Sequence, residues 1–531
     1  MENLKIDLSV TGLRNRMIND YLEGKPTLNS LFSWPPAWLS FAELIESRKK
    51  FPIDRNILAQ ELDTQHQEYY EQYAQLKNQV DLLRKETTFT VTTGHQLCLA
   101  GGPLFFLYKI ITTINLAKGL KARFKDHDFI PVFWLASEDH DFEEINKVTI
   151  LGNSITWSKP DNGATGRLST ASLLPLLEEI KSALGENVYT GELMNIFNEA
   201  YSKHTNLADA TRSLALSLFA KEGLLVIDAD RPNLKKVFSK VIREELSTQF
   251  TFEKVTAVNA SLEKSYTLPV TPRPLNLFYL DQGLRERIVK TPEGDFEVVN
   301  TDLRFSHNFI LDLAASQPER FSPNVILRPV YQEMILPNLA YIGGPAEASY
   351  WLQFKSVFDH LEVFYPMVVP RSHALILNTK QLSKFKSLGF NVEDLFSTTD
   401  DLINRFLKTL SDQPSSFEAE RESLNTIFTA IKVKLSALDP TLEGSVQAEL
   451  QRSLNGLDNV EKKMNAALKR KHETAVNLIR TTVEKVKPDN QPQERVLNFS
   501  NYYAKSGSAF IDELLINLQP FDEHLNILLE N

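Results

Sequence analysis

A single cysteine, Cys98, in 531 residues excludes an internal disulfide and any zinc or iron–sulfur site built on several thiolates. Long apolar runs are also missing. No stretch approaches the roughly 20 residues that cross a bilayer, and Met1-Glu2-Asn3-Leu4-Lys5-Ile6-Asp7 holds no apolar core of signal-peptide length. These absences lead us to expect a soluble, cytoplasmic protein without a membrane partner. Excess positive charge is lacking as well: 58 Lys and Arg face 68 Asp and Glu, a net charge of -10. Nucleic-acid binding needs a basic face, so no nucleic-acid partner is expected. The basic cluster Lys469-Arg470-Lys471 lies in a helical, mixed-charge segment and reads as a solvated helix face. Neither the P-loop pattern G-x-x-x-x-G-K-S/T nor the dinucleotide pattern G-x-G-x-x-G occurs.

What is present is the composition of a folded chain, 42% hydrophobic and 24% charged. The length suggests two to four domains. Residues 1–85 read as a helical segment packed on the core, with Pro35-Pro36 as punctuation. From Thr87 short apolar runs alternate with helical stretches: Phe89–Thr92, Phe129–Leu135, Gly223–Asp228, Val325–Arg328, Ala340–Ile342 and Val363–Arg371. Continuous apolar strands separated by helices mean a parallel sheet covered on both faces. The expected class is therefore α/β, with a doubly wound core over 86–378. An inserted β-containing segment is expected at about 250–320, where Leu277–Val289 reads as a hairpin with a glycine turn. Over 379–490 Leu424, Phe428, Ile431, Leu435, Leu438 and Leu442 step by alternating fours and threes, a coiled-coil seam. Pro440 and Gly444 break it as the tip of two antiparallel arms would, and Leu450, Leu454 and Leu457 resume it. The tail, 491–531, is expected to pack back on the core.

Candidate chemistry gathers at the ends of these runs. The segment Thr92-Thr93-Gly94-His95-Gln96-Leu97-Cys98-Leu99-Ala100-Gly101-Gly102-Pro103 follows a strand and opens into the helix-like Leu104–Leu116. Strand, glycine loop and helix together present backbone N–H groups and a positive helix end to an anion. Tyr341-Ile342-Gly343-Gly344-Pro345-Ala346-Glu347 repeats the arrangement. Thr93, Gly94, His95, Gln96, Gly102, Gly343 and Gly344 are thus candidates for binding phosphate. Lys109, on the following helix, reaches an anion if that helix faces the cleft. Cys98 reads as a small buried hydrophobe rather than a nucleophile.

The second apolar run ends in Glu138-Asp139-His140-Asp141. Carboxylates crowded at one strand end raise one another's pKa and call for a cation, an ammonium group or a metal; spacing does not choose among them, and no metal ligands are assigned. Glu143 and Glu144 read equally well as the start of a helix. In Asn324-Val325-Ile326-Leu327-Arg328-Pro329-Val330-Tyr331-Gln332-Glu333, Asn324, Arg328 and Gln332 recur at intervals of four. A guanidinium at a strand terminus is a natural partner for carboxylate or phosphate, and Arg371 repeats the idea. For each arginine an internal salt bridge is the alternative.

Taken in order, Thr93-Gly94-His95-Gln96, Gly102-Pro103, Trp134-Leu135-Ala136-Ser137-Glu138-Asp139-His140-Asp141-Phe142-Glu143-Glu144, Arg328-Pro329-Val330-Tyr331-Gln332-Glu333, Tyr341–Glu347 and Pro370-Arg371-Ser372 resemble the bacillithiol-biosynthesis cysteine-adding enzymes, the BshC family. The likeness covers nearly the whole chain, although His95 stands where glutamine is expected. It implies a Rossmann-like core with inserted connecting segments and a C-terminal α-helical coiled-coil domain supporting a homodimer. It also implies a carbon–nitrogen ligase joining cysteine, through its carboxyl, to the amine of glucosaminyl-malate. Activation would use ATP or another adenine nucleotide, with Mg2+ as its companion. On that basis Glu138, Asp139, His140 and Asp141 are catalytic candidates, the acids holding an ammonium and His140 serving as base. Lys109, Asn324, Arg328, Gln332, Glu347 and Arg371 are candidates for holding substrate. The competing expectations are an adenylating enzyme for another acid, or a non-catalytic ligand sensor on a coiled-coil scaffold.

Overall fold

The computed structural model describes residues 1–158, 161–410 and 416–530. The chain divides into two compact units, one of 3–375 with 491–528 and the other built mainly of 376–490. The first unit is organised by five strands: β1 (Thr88–His95), β2 (Asp128–Leu135), β3 (Leu225–Asp228), β4 (Asn338–Gly343) and β5 (Met367–Pro370). All pair in parallel, in the order β5-β4-β1-β2-β3. Both faces are covered. Every residue of β1, β3, β4 and β5 is buried, which is why these strands read as unbroken apolar or β-branched runs. A Rossmann-like parallel sheet is therefore present.

This order places a switch point between β1 and β4, because the chain winds one way from β1 to β3 and the other way from β4 to β5. Ligand crevices in open α/β sheets form outside the carboxyl ends of strands at such a point. Register brings those ends level: Gly94 lies opposite Trp134, Leu135 opposite Asp228, and Gly343 opposite Pro370. Helices α1 (Phe105–Arg123), α2 (Pro232–Thr248), α3 (Leu327–Ile335) and α4 (Pro345–His360) support the floor built this way.

Three expectations need correction. The run Val325–Arg328 is not a strand. Asn324 Oδ1 accepts from the Ile326 N–H at 2.9 Å and so turns the chain into α3. Pro329 then falls in the first turn of that helix, where its missing N–H costs no hydrogen bond. The first 85 residues are not wholly helical, since Glu2–Asp7 is a strand. The inserted β region begins later than 250: Phe250–Leu262 is a helix, and five antiparallel strands lie between Leu277 and Pro323.

In the second unit Leu424, Phe428, Ile431 and Leu435 fall on Glu418–Ser436 and Leu450, Leu454 and Leu457 on Glu443–Lys471, two helices that pack together as a coiled coil, whereas Leu438 and Leu442 lie in the connection between them. Pro440 sits in the turn between them, whereas Gly444 lies inside the second helix and breaks nothing. Arg421 reaches across to Asp458 and Glu461, and Lys432 Nζ lies 3.1 Å from Glu443. The seam is only half covered: Leu424 and Phe428 are partly buried, while Leu438 is 79% exposed.

Candidate functional site

A cavity of 1610 Å³ opens over the carboxyl ends of the core strands, and all of its lining belongs to the first unit. Gly94, His95, Gln96, Lys109, Glu138, Asp139, His140, Asp141, Asn324, Arg328, Gly344, Glu347 and Arg371 line it. Thr93, Gly102, Gly343 and Gln332 do not. Thr93 Oγ1 is bonded within the sheet to the Ile342 carbonyl at 2.8 Å.

The donors of the first glycine loop are already taken within the protein. The Gly101 and Gly102 N–H groups bond to Cys98 and Leu99, Ala100 N–H to the Tyr201 hydroxyl, and Leu104 N–H to Leu497. Gly102 is required for packing: its φ is +73°, and a Cβ there would stand 2.6 Å from the Cys98 Cβ. The expected backbone cradle for phosphate at 100–104 is thus closed. His95 is buried against Phe105 and Phe106, and burial with the nearby Lys109 and Arg371 keeps its ring neutral. The buried Cys98 thiol is pushed up to about 12 by burial and by Glu144.

The second glycine loop is also occupied, by a side chain of its own helix. Glu347 Oε2 accepts from the Gly344 N–H at 2.8 Å and lies 2.5 Å from Lys109 Nζ, which also donates to the Gly94 carbonyl at 2.6 Å. Burial would raise the Glu347 carboxyl, but Lys109 and the Gly344 N–H hold it below the usual range. Lys109 and Glu347 therefore brace β1 against α4 rather than offering charges to a ligand.

The acidic cluster is neutralised from within by residues that sequence reasoning missed. Glu138 forms an ion pair with Lys235, from α2, which is wholly buried and also donates to the Phe321 carbonyl at 2.8 Å. Ser322 Oγ donates to the other Glu138 oxygen at 3.0 Å. Burial nonetheless leaves the Glu138 carboxyl above its ordinary range. Arg285, from the inserted sheet, lies 3.7 Å from Asp139 and over the Phe278 ring at 4.0 Å. Burial would raise the Asp139 carboxyl, yet Arg285, the Gln96 amide and the His140 N–H bring it below its usual range. The cluster is held in place by a close approach at Gly166, whose N–H donates to the Ser137 carbonyl at 2.8 Å; a Cβ there would meet the Ser137 Cβ at 2.5 Å.

His140 is arranged as a donor. Arg285 Nη1 stands 2.5 Å from Nδ1, which must then be the accepting nitrogen, so the neutral ring carries its proton on Nε2. Burial and Arg285 lower its pKa. The role of base expected from sequence would have to be played through Nδ1, which would first require breaking that bond. Asp141, Glu143 and Glu144 stay exposed beside it.

The arginines divide. Arg371 is 2% exposed and clamps Glu494 with two bonds of 3.0 and 2.6 Å, so the internal salt bridge is the correct alternative for it. Asn324 serves the scaffold, donating to Asn276 at 2.8 Å. Arg328 sits on α3 with its guanidinium 5.9 Å from the Trp134 ring and 5.7 Å from the Tyr341 ring, and donates to Gln332 Oε1 at 3.2 Å. Among the described residues, no carboxylate lies within salt-bridge distance of Arg328, or of two further arginines of the wall, Arg273 and Arg495. No group of three or more His, Cys, Asp or Glu among the described residues is arranged to hold a metal ion, and no helix among them is long and apolar enough to cross a membrane.

Comparison with known proteins adds the following. Residues 1–372 match the family model "Bacillithiol biosynthesis BshC, N-terminal Rossmann-like domain". Residues 374–530 match "Bacillithiol biosynthesis BshC, C-terminal coiled-coil domain". A relative from Flavobacterium johnsoniae is 40% identical over 98% of this chain and 99% of its own. Another, from Flavobacterium psychrophilum, is 39% identical over 98% of each. A third, from Cytophaga hutchinsonii, is 35% identical over 97% of each. All three carry the name "Putative cysteine ligase BshC".

Proposed function

The chain belongs to the bacillithiol biosynthesis BshC family, and from that premise we propose that it is a cysteine ligase that joins the carboxyl of L-cysteine to the amine of glucosaminyl-malate. The observation that carries the proposal is the division of charge in the cavity. Arg328 is a cation without a carboxylate partner, set between two aromatic rings. Opposed to it is an acidic rim whose inner, part-buried members, Glu138 and Asp139, are already balanced by Lys235 and Arg285. Such a wall takes a carboxylate at one place and an ammonium at the other, the two kinds of charge that glucosaminyl-malate carries.

In this scheme Arg328 holds a malate carboxylate of glucosaminyl-malate, and the exposed Asp141, Glu143 and Glu144 draw in the ammonium of the same molecule. Asp139, kept ionised, holds the ammonium until it has released a proton to solvent, and then orients the free amine for attack on the activated carboxyl. The His140 Nε2–H is available to the oxygen that gains charge as the carbonyl is attacked. Glu138 acts indirectly, holding Lys235 and Ser322 in position. A carboxylate does not condense with an amine unaided, so an adenine nucleotide with Mg2+ is assigned as co-substrate. The cavity is large enough for one, but the loop at 100–104 has no free donors for its phosphates. They are assigned instead to Arg273 and Arg495. The protein would work in the cytoplasm, where such metabolites are made. It would do so as a homodimer: Ile427, Val433, Leu438 and Val460 are exposed on the coiled coil, and a second copy would cover them.

Mass spectrometry of the purified protein with cysteine, glucosaminyl-malate and Mg-ATP, with ATP omitted in parallel, tests the proposal. A conjugate formed only with ATP is expected. AMP release would mark an adenylate and ADP release an acyl phosphate. Asp139→Asn should abolish turnover without loss of fold. No conjugate from the wild-type chain under either condition would overturn the assignment.

A further inference from the structure

Behind Arg328 lies a buried chain of side chains that the proposed chemistry does not use. Gln332 is fully buried; its Oε1 accepts from Arg328 Nη1, while its Nε2 donates to Glu333 Oε1 at 2.8 Å. Asn338, also fully buried, donates through Nδ2 to the same Glu333 oxygen at 2.8 Å. Asn338 Oδ1 in turn accepts from Thr90 and Thr92, at 3.2 and 2.9 Å, on β1. Glu333 is 2% exposed, and its second oxygen, Oε2, is buried with no hydrogen-bond partner.

The polarity of this chain follows from its acceptor. A primary amide has one oxygen and one NH2 end, and either can face a given neighbour unless the surroundings choose. Here the two hydroxyls of β1 and the carboxylate oxygen choose for Asn338, and the carboxylate oxygen chooses for Gln332. With Nε2 drawn to Glu333, Oε1 is left to face the guanidinium. Without an acceptor at 333, Gln332 can turn its NH2 toward Arg328, setting donor against donor. A buried donor left unpaired is costly, so the side chain would move and the guanidinium with it.

We infer that Glu333 is a positioning residue: it fixes the Gln332 amide so that Gln332 Oε1 aims Arg328 at the substrate carboxylate. The inference rests on the role given to Arg328 above. It also accounts for two buried amides placed around one carboxylate oxygen, an arrangement that packing alone does not require.

The test is a set of variants in the full-length protein. Glu333→Gln retains an oxygen able to accept from both amides, whereas Glu333→Ala retains none. KM for glucosaminyl-malate should rise about tenfold in Glu333→Ala, the effect of losing one hydrogen bond to a charged group, and stay within about twofold in Glu333→Gln. In a Gln332→Met background, Glu333→Ala should add nothing, because the residue acts through Gln332. An undiminished effect of Glu333→Ala in that background would overturn the inference. So would an unchanged KM in Glu333→Ala alone. Crystal structures of the two Glu333 variants give a readout independent of turnover. The Arg328–Gln332 contact should survive in Glu333→Gln and be lost in Glu333→Ala; an unmoved guanidinium in Glu333→Ala overturns the inference. If the wild-type chain forms no conjugate, the ligase assignment fails by itself and the crystal comparison still decides the role of Glu333.

Discussion

Glu333 also yields a prediction about stability that is independent of catalysis. Burial pushes its carboxyl up to about 7, against the opposing pull of Asn338, Gln332, Arg48 and Arg328. In the unfolded chain a glutamate titrates near ~4.3. Between these values the folded protein keeps a proton that the unfolded chain has given up, so stability falls as pH rises. The contribution is complete below about pH 4 and lost above about pH 7. At about 1.4 kcal/mol per pKa unit, the full loss is on the order of 4 kcal/mol. Glu333→Gln removes the titration. The assay is urea unfolding of both proteins at a series of pH values, followed by tryptophan fluorescence. All five tryptophans (Trp34, Trp38, Trp134, Trp157 and Trp351) lie in the first unit, so the signal reports the unit that holds Glu333. Relative to the variant, the wild type should lose stability steadily from pH 4 to pH 7. Parallel curves, or a wild type that gains on the variant as pH rises, would refute the reasoning.

Lys235→Met should destabilise the first unit by about 3–5 kcal/mol, because it leaves Glu138 buried without its cation; a urea midpoint equal to that of the wild type would contradict the pairing. Adding Glu138→Leu should recover much of the loss, since removing both partners leaves no buried charge. Arg285→Met should let the His140 pKa rise toward the ordinary histidine range, read from the ring-proton NMR titration; an unmoved titration would mean that burial alone lowers it. Cys98 should resist thiol reagents at pH 8 until the protein unfolds, and Cys98→Ala should keep its activity; rapid labelling of the native protein would contradict a buried thiol at about 12.

The fold was legible because strands buried on both faces leave continuous apolar runs: the runs at 89–92, 129–135 and 340–342 lie on core strands, and the run at 223–228 ends in one, Leu225–Asp228. Where an apolar run is short, periodicity is silent: Val325-Ile326-Leu327 suits helix or strand alike. The deciding signal was local, a turn-forming Asn324 followed by a proline in the first helical turn. The site divides in the same way. Its glycines and carboxylates cluster at strand ends and stand out in the sequence, and three carboxylates beside one histidine announce that cations must be near. Which cations is a matter of tertiary structure. Lys235 did leave a trace: on α2 it shares a face with Phe238 and Ile242, three and seven residues on, both fully buried. A lysine on the buried face of a helix needs a partner, and Glu138 is that partner. Arg285 left none. Strict alternation along Leu284–Lys290 groups it with Arg287 and Val289, whereas the buried residues are Arg285 and Ile288. The inserted sheet departs from that alternation where it meets the site, so the cation that sets the tautomer of His140 is visible only once the chain has folded.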